Sequence, residues 1–156
     1  MAYEICSIGP DELGDLGRAV STAFGDNMSD EELEDERLIV EYERMIGVAD
    51  NGQLVAGAGA YSFEHTLPGN TLVPVAGVTW VGCLPSHRRR GILTSMMRYQ
   101  LDDIVDRGES VAILTASEAV IYGRFGYGLS SQAAWAKVPT KRGAFAREPD
   151  AGGRIR

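Results

Sequence analysis

Residues 71–117 constrain the topology more tightly than any other stretch. TLVPVAGVTWVGCL, 71 to 84, is a long run rich in β-branched residues. PSHRRRG follows, then a helical stretch from about residue 91 to 106, closed by Arg107-Gly108. VAILTAS, 111 to 117, is a short and nearly continuous apolar strand, the pattern of a strand buried on both faces. A helix between two neighbouring strands makes them parallel, because an antiparallel neighbour needs only a tight turn. Upstream, RMIGVAD (44–50) and QLVAGAGAYSFEH (53–65) flank Asn51-Gly52. Asn-Gly between two apolar runs predicts a hairpin. Pro68-Gly69-Asn70 makes the next turn, and Pro74 marks an edge or a bulge of the long strand. The sheet is therefore mixed, with one parallel crossover in an antiparallel frame.

The rest of the chain completes it. YEICSI, 3 to 8, alternates as a strand does. Pro10 and Asp11 open a helix that carries Leu13, Leu16, Val20 and Phe24 at helical spacing, and Gly25 ends it. Ser29 with Glu32 predicts a capping box at the start of a second helix. Ser117–Phe125 has room for a turn or two of helix, and GYGLSSQAAWAKV, 126 to 138, reads as a last strand with Trp135 packed on it. The order is β-α-α-β-β-β-α-β-α-β. The fold class is α/β in the α+β sense, a mixed central sheet with flanking helices. Residues 1–138 form one domain, long enough to bury a core. Residues 139–156 form an irregular tail or the start of a linker to further domains. The Arg-ended tail leaves a natural terminus and a fragment both open.

Composition narrows the function. The net charge is −7, and phosphate backbones need a broad basic surface, which argues against nucleic acid. No apolar run reaches the roughly 18 residues of a membrane span, and MAYEICSIG is no signal peptide. Cys6 and Cys83 lie far apart with no CxxC pair, so no zinc site or disulfide framework is suggested. They read as buried thiols of a cytoplasmic protein. The charge is divided unevenly. Residues 1–80 carry 3 basic and 15 acidic side chains, and residues 81–156 carry 12 basic and 7 acidic. DEELEDE, 30 to 36, is either a solvated helix face or part of a surface for a cation.

The densest positive charge, HRRRG at 87–91, stands at the start of a helix. A helix N-terminus has unpaired N–H groups and the positive end of the dipole, so it binds anions. Gly91 lets the backbone approach such a ligand, and the arginines add charge-assisted hydrogen bonds. A pyrophosphate suits this loop. The P-loop and GxGxxG patterns are both absent.

Arg88-Arg89-Arg90-Gly91-Ile92-Leu93 resembles the acyl-coenzyme A pyrophosphate loop of the GCN5-related N-acetyltransferases (GNAT), with Leu93 where a small residue is more usual. GVTWVGCLPSHRRRGILTSMM followed by AILTASEAVIYGRFGYG resembles the N-terminal domain of the enhanced intracellular survival (Eis) acetyltransferases. FGD at 24–26 is similar to that family's N-terminal region. The resemblance implies the acetyltransferase fold with a splayed central strand, acetyl-CoA as donor and a cationic primary amine as acceptor. Val81 and Cys83 would offer their backbone to the pantetheine arm. Arg88, Arg89, Gly91 and Ile92 would cradle the pyrophosphate, and Ser117 would help position cofactor or substrate. Tyr122 would be the general acid, with Tyr127 its nearest rival. Phe24, Asp26 and Trp80 would line the acceptor pocket.

The chemistry fits these roles. A neutral amine attacks the thioester, an oxyanion forms and a thiolate leaves. A phenol with a pKa of about 10 is protonated at neutral pH and can donate to that thiolate. Backbone N–H groups on the splayed strand can meet the oxyanion. Cys83 need not be a nucleophile. In the resembled family the C-terminal carboxylate is the base, in a longer protein with a second acetyltransferase-like region and a sterol-carrier-like domain. Here Asp26, Glu118, His65 or a water chain could serve. His87 reads as loop structure or a phosphate contact. Polyamines, aminoglycosides and lysine-rich peptides all remain open as acceptors. Those relatives form rings, so a homo-oligomer is also open. The rival readings are a CoA-binding module without catalysis and a structural or interaction domain.

Overall fold

The computed structural model describes residues 3–148 and Gly152. One five-stranded sheet runs in the order β1-β2-β3-β4-β5. Its strands are β1 (Ile5–Ser7), β2 (Ile46–Asp50), β3 (Gln53–Leu67), β4 (Thr71–Cys83) and β5 (Val111–Leu114). The first four pair antiparallel, and β5 pairs parallel to β4. The predicted crossover is helix α3 (Ile92–Asp106). At the β2–β3 hairpin both Asn51 and Gly52 have positive φ (49° and 78°), as a two-residue turn matched to strand twist requires. Pro74 sits opposite Glu64 of β3, one residue before the β5 pairing begins at Val75. It stands where β4 still has one free edge, a position that tolerates proline.

Helix α1 (Leu13–Phe24) buries Leu13, Leu16 and Val20 against Ile8, Met45 and Trp80. It starts later than Pro10 because residues 10–12 form a turn in which the Glu12 carboxylate accepts from the Gly9 N–H at 2.9 Å. Helix α2 (Asp30–Arg37) has the predicted capping box, Ser29 and Glu32 bonding reciprocally, and buries no residue. On the other face, α3 presses Ile92, Met96 and Ile104 onto the sheet. Among the described residues no helix is long and apolar enough to cross a membrane.

Three expectations are corrected. The last strand over 126–138 is not formed: these residues have no regular structure, and Trp135 is 96% exposed rather than packed. Gly, Ser, Gln and Ala dominate that stretch, and such residues gain little from a pleated surface. VAILTAS forms a strand only to Leu114 and is not buried on both faces; Ile113 is exposed. Among the described residues β5 pairs on one side alone. The cysteines are half-buried, not fully buried, and both are free.

Candidate active site

A bulge in β4 creates the site. Gly57 pairs with Gly82 and Gly59 with Thr79, so Ala58 alone stands opposite both Trp80 and Val81. Trp80 absorbs the extra residue with φ 56°, a left-handed conformation unusual for a bulky side chain. The bulge also resets the alternation. Ala76 and Val78 face Ile104 of α3 before it, whereas Val81 and Cys83 pack near Ile92 and Met96 after it. Trp80 turns the other way, onto α1. Pairing with β5 stops at Val78–Leu114. Beyond that point β4 leans on β3 alone, and its free edge faces the gap toward Ser117–Tyr122. Gly82 lets α1 close in from the opposite face, since a Cβ there would lie 3.1 Å from the Val20 Cα.

Two cavities occupy the gap. The first, about 660 Å³, lies between α1, α2 and β4, and its wall includes Phe24, Asp26, Glu32, Glu36 and Trp80. The second, about 550 Å³, runs along β4 to the start of α3, past Cys83, Arg88, Arg89, Gly91, Ile92 and Arg124. Phe24, Val81, Ser117 and Tyr122 line both. Their charges are opposite. Three carboxylates face the first cavity; His87, three arginines and the single acid Glu118 face the second. Apart from Tyr127 and His65, every residue the sequence nominated for the site borders one cavity or both.

The loop before α3 is shaped by backbone geometry. Arg89 and Gly91 have positive φ (62° and 83°), an alternation that turns successive N–H groups inward. No side chain caps α3, so its first-turn N–H groups are available to an anion. The three arginines are not equivalent. Arg88 donates to the Ala23 carbonyl at 2.8 Å and Arg90 to the Tyr3 hydroxyl at 2.9 Å. His87 is held by Asp50 at 3.1 Å and Ser86 at 2.9 Å, which makes its ring part of the loop's frame. Burial pushes the Cys83 thiol up, and Arg88 and Arg90 oppose the rise.

Tyr122 follows a short 3-10 turn, Ala119–Ile121, and is 9% exposed. Burial, then the nearby Glu118 carboxylate, raises its phenol above the usual value. Tyr127 packs edge-on against it, ring centres 5.8 Å apart. Burial pushes the Tyr127 phenol up to about 12, but Tyr127 borders neither cavity. Of the candidate bases, Asp26 and Glu118 border the cavities; His65 sits on the exposed hairpin opposite Val73, away from both. Sequence reasoning missed Arg124 and did not single out Glu32 and Glu36 within DEELEDE as site residues. Arg124 lay inside the quoted IYGRFGYG motif. Glu32 and Glu36 are four apart, hence on one face of α2.

A splayed strand, an uncapped helix start beside it and a buried phenol between two cavities come together here. Residues 4–130 match the acetyltransferase (GNAT) domain family, and the chain belongs to that family. It is 53% identical over 112 residues to an uncharacterised N-acetyltransferase of Streptomyces avermitilis, covering 72% of this chain and 27% of the relative. It is 36% identical over 132 residues to the N-acetyltransferase Eis of Mycobacterium tuberculosis, covering 82% and 33%. The crystal structure of Eis1 from Mycobacterium abscessus superposes with a TM-score of 0.72 at 40% identity, over 81% of this chain and 31% of that one. The chain spans about a third or less of the length of these relatives.

Proposed function

We propose that this chain is an N-acetyltransferase that moves the acetyl group of acetyl-CoA onto a primary amine by direct attack in a ternary complex. The observation that carries the reading is Tyr122, a buried and protonated phenol where two cavities of opposite charge meet. Acetyl-CoA lies in the basic cavity, its pyrophosphate on the Arg88–Ile92 loop and its pantetheine arm along the free edge of Val81 and Cys83. The acceptor lies in the acidic cavity against Phe24, Asp26 and Trp80. The amine nitrogen attacks the thioester carbonyl, the C–S bond breaks, and Tyr122 gives its proton to the departing thiolate. The proton lost by the amine leaves through a carboxylate at the acceptor wall or through water, and a proton from solvent restores the Tyr122 phenol. The carboxylate lining suits multiply cationic acceptors such as polyamines or aminoglycosides. The reading places the protein in the cytoplasm, where its two unpaired cysteines stay reduced.

The test is calorimetric titration with acetyl-CoA, then thiol release on addition of spermidine or tobramycin. Tyr122→Phe keeps acetyl-CoA affinity and loses roughly 10²–10⁴-fold in turnover. Binding without turnover in the parent chain would favour a CoA-binding module; no binding would reject the reading.

A further inference from the structure

We infer that Tyr61 is a positioning residue for the acceptor side: it holds the Glu36 carboxylate at the wall of the acidic cavity, where Glu36 takes up a distal ammonium group of the acceptor. The identity of that cation as the acetyl acceptor rests on the reading above; the binding of a cation does not.

The three carboxylates of that wall are not equivalent. Asp26 is exposed, and its Oδ1 already accepts from the Asn27 N–H at 2.8 Å. Glu32 is exposed and committed to the helix cap, its Oε2 accepting from both the N–H and the hydroxyl of Ser29 at 2.8 Å. Glu36 is half-buried, and Tyr61 donates to its Oε2 at 2.9 Å. A carboxylate partly withdrawn from water acts on a nearby cation with less screening than an exposed one. Being fixed by a neighbour, it also loses less freedom when a ligand arrives.

Tyr61 is well made for this task. It sits on β3 opposite Gly77, and so reaches α2 from the rigid sheet. Burial and the Glu36 carboxylate push its phenol up to about 12, with the neighbouring Trp80 side chain opposing the rise. It therefore remains a donor across the physiological range. Helix α2 has no buried residue of its own. Its last turn is tied to the body by the Glu36–Tyr61 bond and by Arg37, which donates to the Pro10 carbonyl at 2.8 Å. Trp80, the strained residue of the β4 bulge, stands beside Tyr61 and forms part of the same wall. Strand bulge, tyrosine and acidic helix thus set the width and charge of the cavity together.

The experiment is calorimetry on the full chain with spermidine, and with butylamine as a singly charged control. The variants are Glu36→Gln, Tyr61→Phe, the double variant and Glu31→Gln, which removes the same charge from an exposed position of α2 outside the cavity. Glu36→Gln is expected to weaken spermidine about tenfold and butylamine far less. Tyr61→Phe weakens spermidine severalfold but adds nothing in the Glu36→Gln background. Glu31→Gln changes it less than about twofold, and acetyl-CoA affinity is the same in all, which reports an intact fold. Equal losses in Glu36→Gln and Glu31→Gln, additive losses in the double variant, or a parent chain that binds no spermidine would overturn the inference. Glu36-dependent binding without thiol release would reject the catalytic reading alone.

Discussion

In the proposed mechanism the Tyr122 hydroxyl is the acid, and its surroundings make a pH prediction. Burial disfavours the phenolate, and Glu118 adds to the effect, so the folded-state pKa lies above the ordinary value of about 10. The acid form is fully present below that value and is lost only as pH rises through the raised one. The acceptor amine, in contrast, must be neutral, and an alkylammonium titrates near a lysine's value of about 10.4. The kcat/KM for butylamine, which has no distal charge to lose, should therefore climb from pH 7 to about 10 without a falling limb. A decline centred near neutrality would assign the acid to some other group. Cys83 shows the same logic in reverse. Its thiol is also pushed up by burial, so it is mostly un-ionised at pH 7 and ill suited to nucleophilic attack.

Helix α2 owes its first turn to its cap and its last turn to the Glu36–Tyr61 and Arg37–Pro10 bonds. The two bonds from Ser29 hold the Glu32 carboxylate below the usual range. The capping interaction is present above the unfolded-state pKa and is lost as pH falls through the depressed one. Ser29→Ala should accelerate amide exchange across residues 30–37 roughly fivefold while leaving the melting temperature nearly unchanged, because α2 buries no residue. Uniform exchange protection in the variant would show that tertiary ties hold the helix. The capping box was legible in the sequence, as were the Asn51-Gly52 hairpin and the HRRRG loop, because each is specified by residues within a few positions. The bulge at Trp80 was not. No glycine or proline marks it, and only the pairing of β4 with β3 shows that one residue is extra. The strand expected at 126–138 failed for a related reason: alternation proposes a strand, but a ladder partner makes one. The acidic cavity was half legible. Asp26 came from a resemblance, whereas Glu36 acquires its place through Tyr61, 25 residues away on the sheet.

Across the whole molecule two long-range electrostatic features matter, one for the frame and one for the ligands. In the frame, Arg44 is 3% exposed and makes two bonds to Glu109, at 2.8 and 2.6 Å, and one to Ser62 at 2.8 Å. This pair joins the approach to β2 with the segment between α3 and β5, closing the crossover that splays β4. Glu109→Gln leaves a buried guanidinium without its bidentate partner, with only the more distant Asp103 carboxylate at 4.0 Å, and should cost about 3 kcal/mol, read from denaturant unfolding. The joint replacement Arg44→Met with Glu109→Leu should recover most of that loss; no recovery would mean the pair specifies the fold rather than merely tolerating burial. For the ligands, the division of charge along the chain becomes a division in space. The N-terminal 80 residues, with 15 acidic side chains against 3 basic, supply the carboxylates of the first cavity, and the later residues supply the arginines of the second. Under the proposed function, opposite potentials on adjoining cavities would draw an anionic donor and a cationic acceptor to one point, and salt would screen both. Raising ionic strength from about 0.05 to 0.5 M shortens the Debye length from roughly 14 to 4 Å. The KM of spermidine should then rise several times more than that of butylamine, and the Kd of acetyl-CoA should rise as well. Equal salt dependence for the two amines would mean that the acidic wall is bulk surface charge and does not select the acceptor.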